Sequence, residues 1–123
     1  MPTFDFQDGK GPVPAHKHSN GGGWIADTAT VAVTVYVGPN ARVYENACVS
    51  ETAQVYGDAR VYDNARVYGD VWVCGTAQVC GTAQVYGDAR VFGDAWVYEG
   101  KHTENIEGIE STPLESSQVK VED

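Results

Sequence analysis

Between Ile25 and Val97 a β-branched aliphatic residue stands at every sixth position, through Val31, Val37, Val43, Val49, Val55, Val61, Val67, Val73, Val79, Val85 and Val91. Two residues ahead of each lies a small side chain, usually alanine (Ala29, Ala41, Ala47, Ala53, Ala59, Ala65, Ala77, Ala83, Ala89, Ala95), with Gly23, Val35 and Val71 as exceptions. Three residues after each comes Thr, Asn, Asp or, at position 100, Gly. An internal repeat of this regularity decides the architecture of the whole chain, so it is read first.

Side chains alternate along a strand, so the small residue and the aliphatic residue two further on point the same way. The residues that follow, as in Tyr56-Gly57-Asp58 and Tyr68-Gly69-Asp70, supply corners. Glycine reaches positive φ without penalty, and Asn or Asp tolerates it better than most residues. Each hexad is thus a short strand and a corner, and three hexads close a triangular coil of 18 residues. Coils stack at about 4.8 Å, which makes thirteen hexads a prism of about four and a third coils, on the order of 20 Å long. Composition agrees: 18 valines against one leucine suit strands and argue against a helical bundle. A chain of 123 residues holds one such domain.

The Ala-x-Val-x-Gly-Asp/Asn pattern over residues 24–98 resembles the hexapeptide-repeat superfamily. The resemblance implies an all-β fold, a left-handed parallel β-helix of about four coils, and the handedness comes from the family and not from the spacing. Ahead of the coils, residues 11–24 read as an N-terminal cap. Their Asn20-Gly21-Gly22-Gly23-Trp24 run is similar to the lead-in of small hexapeptide-repeat proteins encoded by phages and prophages. The expected division is residues 1–23 as cap, 24–100 as β-helix and 101–123 as acidic tail. After Tyr98 the period stops. The tail is expected either to be disordered or to add Val119-Lys120-Val121 as a strand to an open coil edge.

The 18-residue coil sorts the residues flanking each interior valine into outward columns. On one face these read Trp24, Arg42, Arg60, Gln78, Trp96 and Ala26, Tyr44, Tyr62, Cys80, Tyr98. The next face carries Cys48, Arg66, Gln84 and Ser50, Tyr68, Tyr86, and the last Tyr36, Gln54, Trp72, Arg90 and Gly38, Tyr56, Cys74, Phe92. Three uses remain open for such rings. They stabilise the coil as a stacked ladder, form an interface between copies, or join guanidinium groups in holding a phosphate or a base. The candidate ligand-binding or interface residues are Arg42, Tyr44, Arg60, Tyr62, Arg66, Tyr68, Trp72, Tyr86 and Arg90. The resemblance also implies a homo-oligomer, with a trimer favoured.

Enzymes of the superfamily are mostly acyltransferases that use a histidine base on a coil or in a loop projecting from one. Here neither a loop nor a histidine interrupts residues 25–98. Acyl transfer would need an intersubunit site built from His16, His18 or His102, since a base must reach the proton it removes. Three histidine ligands on the coils, as in the zinc carbonic anhydrases of that fold, are missing. His16 and His18 are weak metal candidates whose alternative is a solvated loop. Cys48, Cys74 and Cys80 fall on three different faces and fit neither a disulfide framework nor a structural zinc site. No catalytic residue and no cofactor are expected.

The net charge of −9 is concentrated late, with seven acids against two lysines in residues 99–123. No cluster of Lys and Arg offers a nucleic-acid groove, so direct nucleic-acid binding is not expected. The acidity suits solubility or a cationic partner. No apolar run approaches the roughly 20 residues a membrane span needs, residues 1–10 lack a secretory pattern, and free thiols fit a reducing compartment such as the cytoplasm. The expectation is a non-enzymatic oligomeric β-helix, encoded by a phage, that neutralises a host defence by sequestering a nucleotide signal or blocking a protein. An acyltransferase and a structural particle component are its rivals.

Overall fold

The computed structural model describes residues 3–6, 9, 11–103 and 106–108, and all its regular structure is β. Most strands are only two residues long, an outward residue followed by an interior valine, as in Arg42–Val43, Cys48–Val49 and Gln54–Val55. The other residues of each hexad form the corner. Strands pair in parallel with the strand 18 residues on, so Arg66 lies opposite Cys48 on one side and Gln84 on the other. Every third strand therefore joins the same sheet, and three sheets close the prism. The chain is a parallel β-solenoid of about four turns. Backbone N–H groups point towards the next coil and carbonyls towards the previous one: Cys48 N donates to Ala65 O at 3.0 Å and Ser50 N to Val67 O at 2.9 Å.

The interior follows the period. From Val37 to Val91 the hexad valines are fully buried, and Val97 at the last coil nearly so. In the small-residue column of the third face, Val35, Ala53, Val71 and Ala89 alternate in size and are all fully buried, so the valine exceptions fill the prism instead of overpacking it. Corners are held by stacked backbone. At Gly69, φ is +86° and a Cβ would lie 2.8 Å from the carbonyl oxygen of Gly87, so glycine is required by both conformation and space.

The N-terminal residues extend the first sheet. β1 (Thr3–Asp5) runs antiparallel to β2 (Pro12–Lys17), which runs antiparallel to β3 (Trp24–Ala26), the first strand of the solenoid. On the third face residues 18–23 replace the missing strand above Tyr36–Val37. There Gly23 N donates to Val37 O, Val37 N donates to Asn20 O, and His18 Nε2 donates to Val35 O at 2.8 Å. The second face has no such cover among the described residues. Thr30–Val31 is its outermost strand, and Val33 beyond it is 76% exposed.

At the other end the ladder outlasts the period. Lys101–His102 pairs below Gln84–Val85, and Ile106–Gly108 below Val91–Gly93. Their offsets are 17 and 15 residues, so the last coil has shortened corners that a search for hexads does not find. Val119-Lys120-Val121 lies outside the described residues. No described helix is long and apolar enough to cross a membrane.

Candidate functional site

The coils segregate charge. Arg42, Arg60, Arg66 and Arg90 each directly precede an interior valine and so project from flat faces. The eight coil carboxylates, Asp27, Glu45, Glu51, Asp58, Asp63, Asp70, Asp88 and Asp94, lie in or at the edges of the corners. Several serve the backbone there. Glu45 and Asp63 sit in the left-handed region at φ 61°, and each receives a peptide N–H from the coil below, Asp63 N on Glu45 Oε1 at 3.2 Å and Gly81 N on Asp63 Oδ2 at 3.1 Å. Thr52 donates to Asp70 and Thr76 to Asp94, one coil apart. Acids thus rim the prism, while its faces carry guanidinium, amide and aromatic groups.

The first face has a second apolar core on its outside. The β1–β2 hairpin curls over the sheet, so that Phe4 stacks on Trp24 at 4.8 Å, Phe6 stacks on Tyr44 at 4.7 Å, and Tyr44 stacks on Tyr62 at 4.9 Å. Phe6 is 1% exposed and Tyr44 3%, with Ala15 and Ala26 buried beside them. Tyr44 is therefore a covered residue and no longer an open ligand surface. Arg42 lies under the same arm, its guanidinium 5.2 Å from the Phe4 ring, and its Nη1 is buried without a hydrogen-bond partner. Arg60 is half-buried in the next coil, directly opposite Arg42 in register. Further down, the Tyr62 hydroxyl donates to Gln78 Oε1 at 2.7 Å and Trp96 Nε1 to Cys80 Sγ at 3.2 Å, and Trp96 is 47% exposed.

Among the described residues the other faces have no such cover. On the second, Tyr68 and Tyr86 stack at 5.1 Å with planes 4° apart, and Arg66 beside them is exposed. On the third, the Arg90 guanidinium lies 4.2 Å from the Trp72 ring centroid, so these two candidates engage each other. The structure thus splits the candidates into three groups, Arg42, Tyr44, Arg60 and Tyr62 on one face, Arg66, Tyr68 and Tyr86 on the next, and Trp72 with Arg90 on the last.

Phe4 and Phe6 were missed from sequence as site residues. Their signal is the alternation in Thr3-Phe4-Asp5-Phe6, too short to stand out beside thirteen hexads.

Packing on the first face perturbs two acidic protons. Burial, then the neighbouring Cys80 thiol, pushes the Tyr62 phenol well above its usual range. Burial also raises the Cys80 thiol, outweighing the neighbouring Tyr62 hydroxyl and the Trp96 indole, which favour its thiolate. Both groups are held in their protonated forms, and Cys80 packs as a buried thiol.

The histidines lie at the ends of the prism in separate settings. His16 Nδ1 is 2.8 Å from Asp27 Oδ1 at the surface, His18 is 7% exposed and bonded to Val35 O, and His102 Nε2 donates to Glu99 O at 2.8 Å. Among the described residues no three His, Cys, Asp or Glu side chains are grouped to hold a metal ion. Cys48, Cys74 and Cys80 are free thiols, the last buried.

A family model described as the YdcK β-solenoid repeat matches residues 53–63, 59–75 and 83–99, all within the stacked coils. Over those segments the chain is similar to that repeat family, in agreement with the observed winding. No curated protein and no solved structure matches the chain significantly.

Proposed function

We propose that this chain is a phage-encoded, left-handed member of the hexapeptide-repeat superfamily that acts by binding instead of catalysis. It works in the host cytoplasm as a homotrimer and neutralises a defence by sequestering a small nucleotide signal or blocking a host protein. One observation carries the reading. All four coil arginines stand on flat faces among aromatic and amide side chains, while the coil acids are withdrawn to the corners. Such a surface offers an anionic, planar ligand charge-assisted hydrogen bonds and ring contacts together. The acidic rims turn away polyanions as long as DNA without excluding a small anion.

The direct test is isothermal titration of the full chain against a panel of cyclic nucleotides, with sedimentation to count subunits. The reading expects saturable heat with at least one of them, weakened by removing face arginines, and a closed oligomer. No heat with any member of the panel would remove the nucleotide form of the proposal. Thermal stabilisation by acetyl-CoA that disappears in His16→Ala or His102→Ala would replace it with acyl transfer.

A further inference from the structure

We propose that Arg42 and Arg60 form a binding site for a phosphoryl-type oxyanion on the first face, under the edge of the N-terminal arm. This deepens the binding reading and rests on it. The two arginines lie directly opposite each other on adjacent parallel strands, about 4.8 Å apart along the stack. Like charges so placed repel. Neither has an ion-pair partner among the described residues, although eight carboxylates stand in the coils. Arg42 bears a second unmet demand, because its Nη1 is buried without an acceptor. A buried donor left unpaired costs more than a paired one returns.

An added anion would offset the repulsion. An oxyanion beside the two guanidinium groups neutralises that repulsion and accepts from their accessible N–H groups in the forked geometry that arginine favours, while Nη1 of Arg42 stays closed off beneath the arm. The arm sets the local environment. Phe4 is stacked on Trp24 and lies 5.2 Å from the Arg42 guanidinium, which keeps water from one side of the site and strengthens its electrostatics. The other faces lack this arrangement: Arg66 has Cys48 and Gln84 as its register neighbours, and Arg90 packs on Trp72. A free phosphate and the phosphate of a nucleotide share the required chemistry, and Trp96, two coils below Arg60, offers the nucleotide a half-exposed ring.

The test titrates the full chain in low-salt chloride buffer with inorganic phosphate and, separately, with AMP, by calorimetry and by thermal melting. Saturable binding in either arm is expected, weakened about tenfold or more by Arg42→Gln and by Arg60→Gln, and unchanged by Arg66→Gln. The tighter arm identifies the source of the phosphoryl group. Arg42→Lys keeps the charge beneath Phe4 and should lose less than Arg42→Gln. Melting adds a crossing that a merely structural arginine would not give. Without phosphate, Arg60→Gln should melt at or above the temperature of the unaltered chain, and with phosphate below it. Absence of saturable binding in both arms, binding that survives Arg60→Gln, or an equal loss in Arg66→Gln would overturn the site. Cyclic-nucleotide binding that depends on Arg66 or Arg90 alone would overturn this site while leaving the binding reading intact.

Discussion

The first and second faces share one interior and one 18-residue register, yet their outer surfaces have opposite fates. On the first, Phe6, Ala15, Ala26 and Tyr44 bury one another, and at their edge stand Arg42 and Arg60, neither with an ion-pair partner among the described residues. On the second, Arg66, Tyr68 and Tyr86 stand in similar columns with no described residue stacked over them, and the top strand Thr30–Val31 pairs only with Cys48–Val49 among the described strands. The lesson is that a solenoid face is only a lattice of positions. What makes one face differ from the next is a segment outside the repeat, here Phe4 and Phe6.

The largest effect breaks both faces together. Asp in place of Val61 or Val67, each fully buried, puts a charge in a prism with no partner for it. The cost, about 4 kcal/mol or more, should abolish a cooperative melting transition followed by circular dichroism. A smaller pair of changes separates the faces. Phe6→Ala removes a fully buried ring and should cost about 3 kcal/mol in urea unfolding, whereas Tyr68→Ala on the second face should cost about 1 kcal/mol. Equal losses would mean that the outer core of the first face contributes no more than a surface ladder.

Alkaline pH sharpens the contrast further. Because burial raises the Cys80 thiol and the Tyr62 phenol, the folded chain holds these protons at pH values where the unfolded chain releases them. That stability is complete below the ordinary thiol range, about pH 8.5, and declines as pH rises through and beyond it. Cys80→Ala should flatten the decline between about pH 8.5 and 10. The same burial predicts the order of alkylation by a thiol reagent followed by mass spectrometry. Cys48 and Cys74, both half-exposed, should react before Cys80, which is 5% exposed.

How much of this was legible in the sequence differs between coil and cap. Thirteen aliphatics at one spacing define the coil, its three faces and the outward columns, because in a strand the side of each residue follows from its parity alone. Even the irregular Val35 and Val71 obey that rule. The arm is another matter. Its strand is three residues long and pairs with Pro12–Lys17, whose two prolines disguise a strand. Nothing in the columns reveals that Phe6 lies on Tyr44, so Tyr44 reads from sequence as exposed. The terminal strands Lys101–His102 and Ile106–Gly108 escape for a different reason. Their backbone pairing survives at offsets of 17 and 15, whereas the side-chain period that announces the other strands does not.

Every face described above depends on residues 18 apart standing side by side, and one cross-link measures that directly. Arg66 lies opposite Cys48 on adjacent strands, within the Cα spacing of roughly 4.4–6.8 Å that a disulfide bridges. Mild oxidation of Arg66→Cys, followed by peptide mapping, should give an intrachain link between position 66 and Cys48. Tyr68→Cys, two residues further along the chain, should give none. A link formed equally by both variants, or by neither, would contradict the stacked register and every surface built on it.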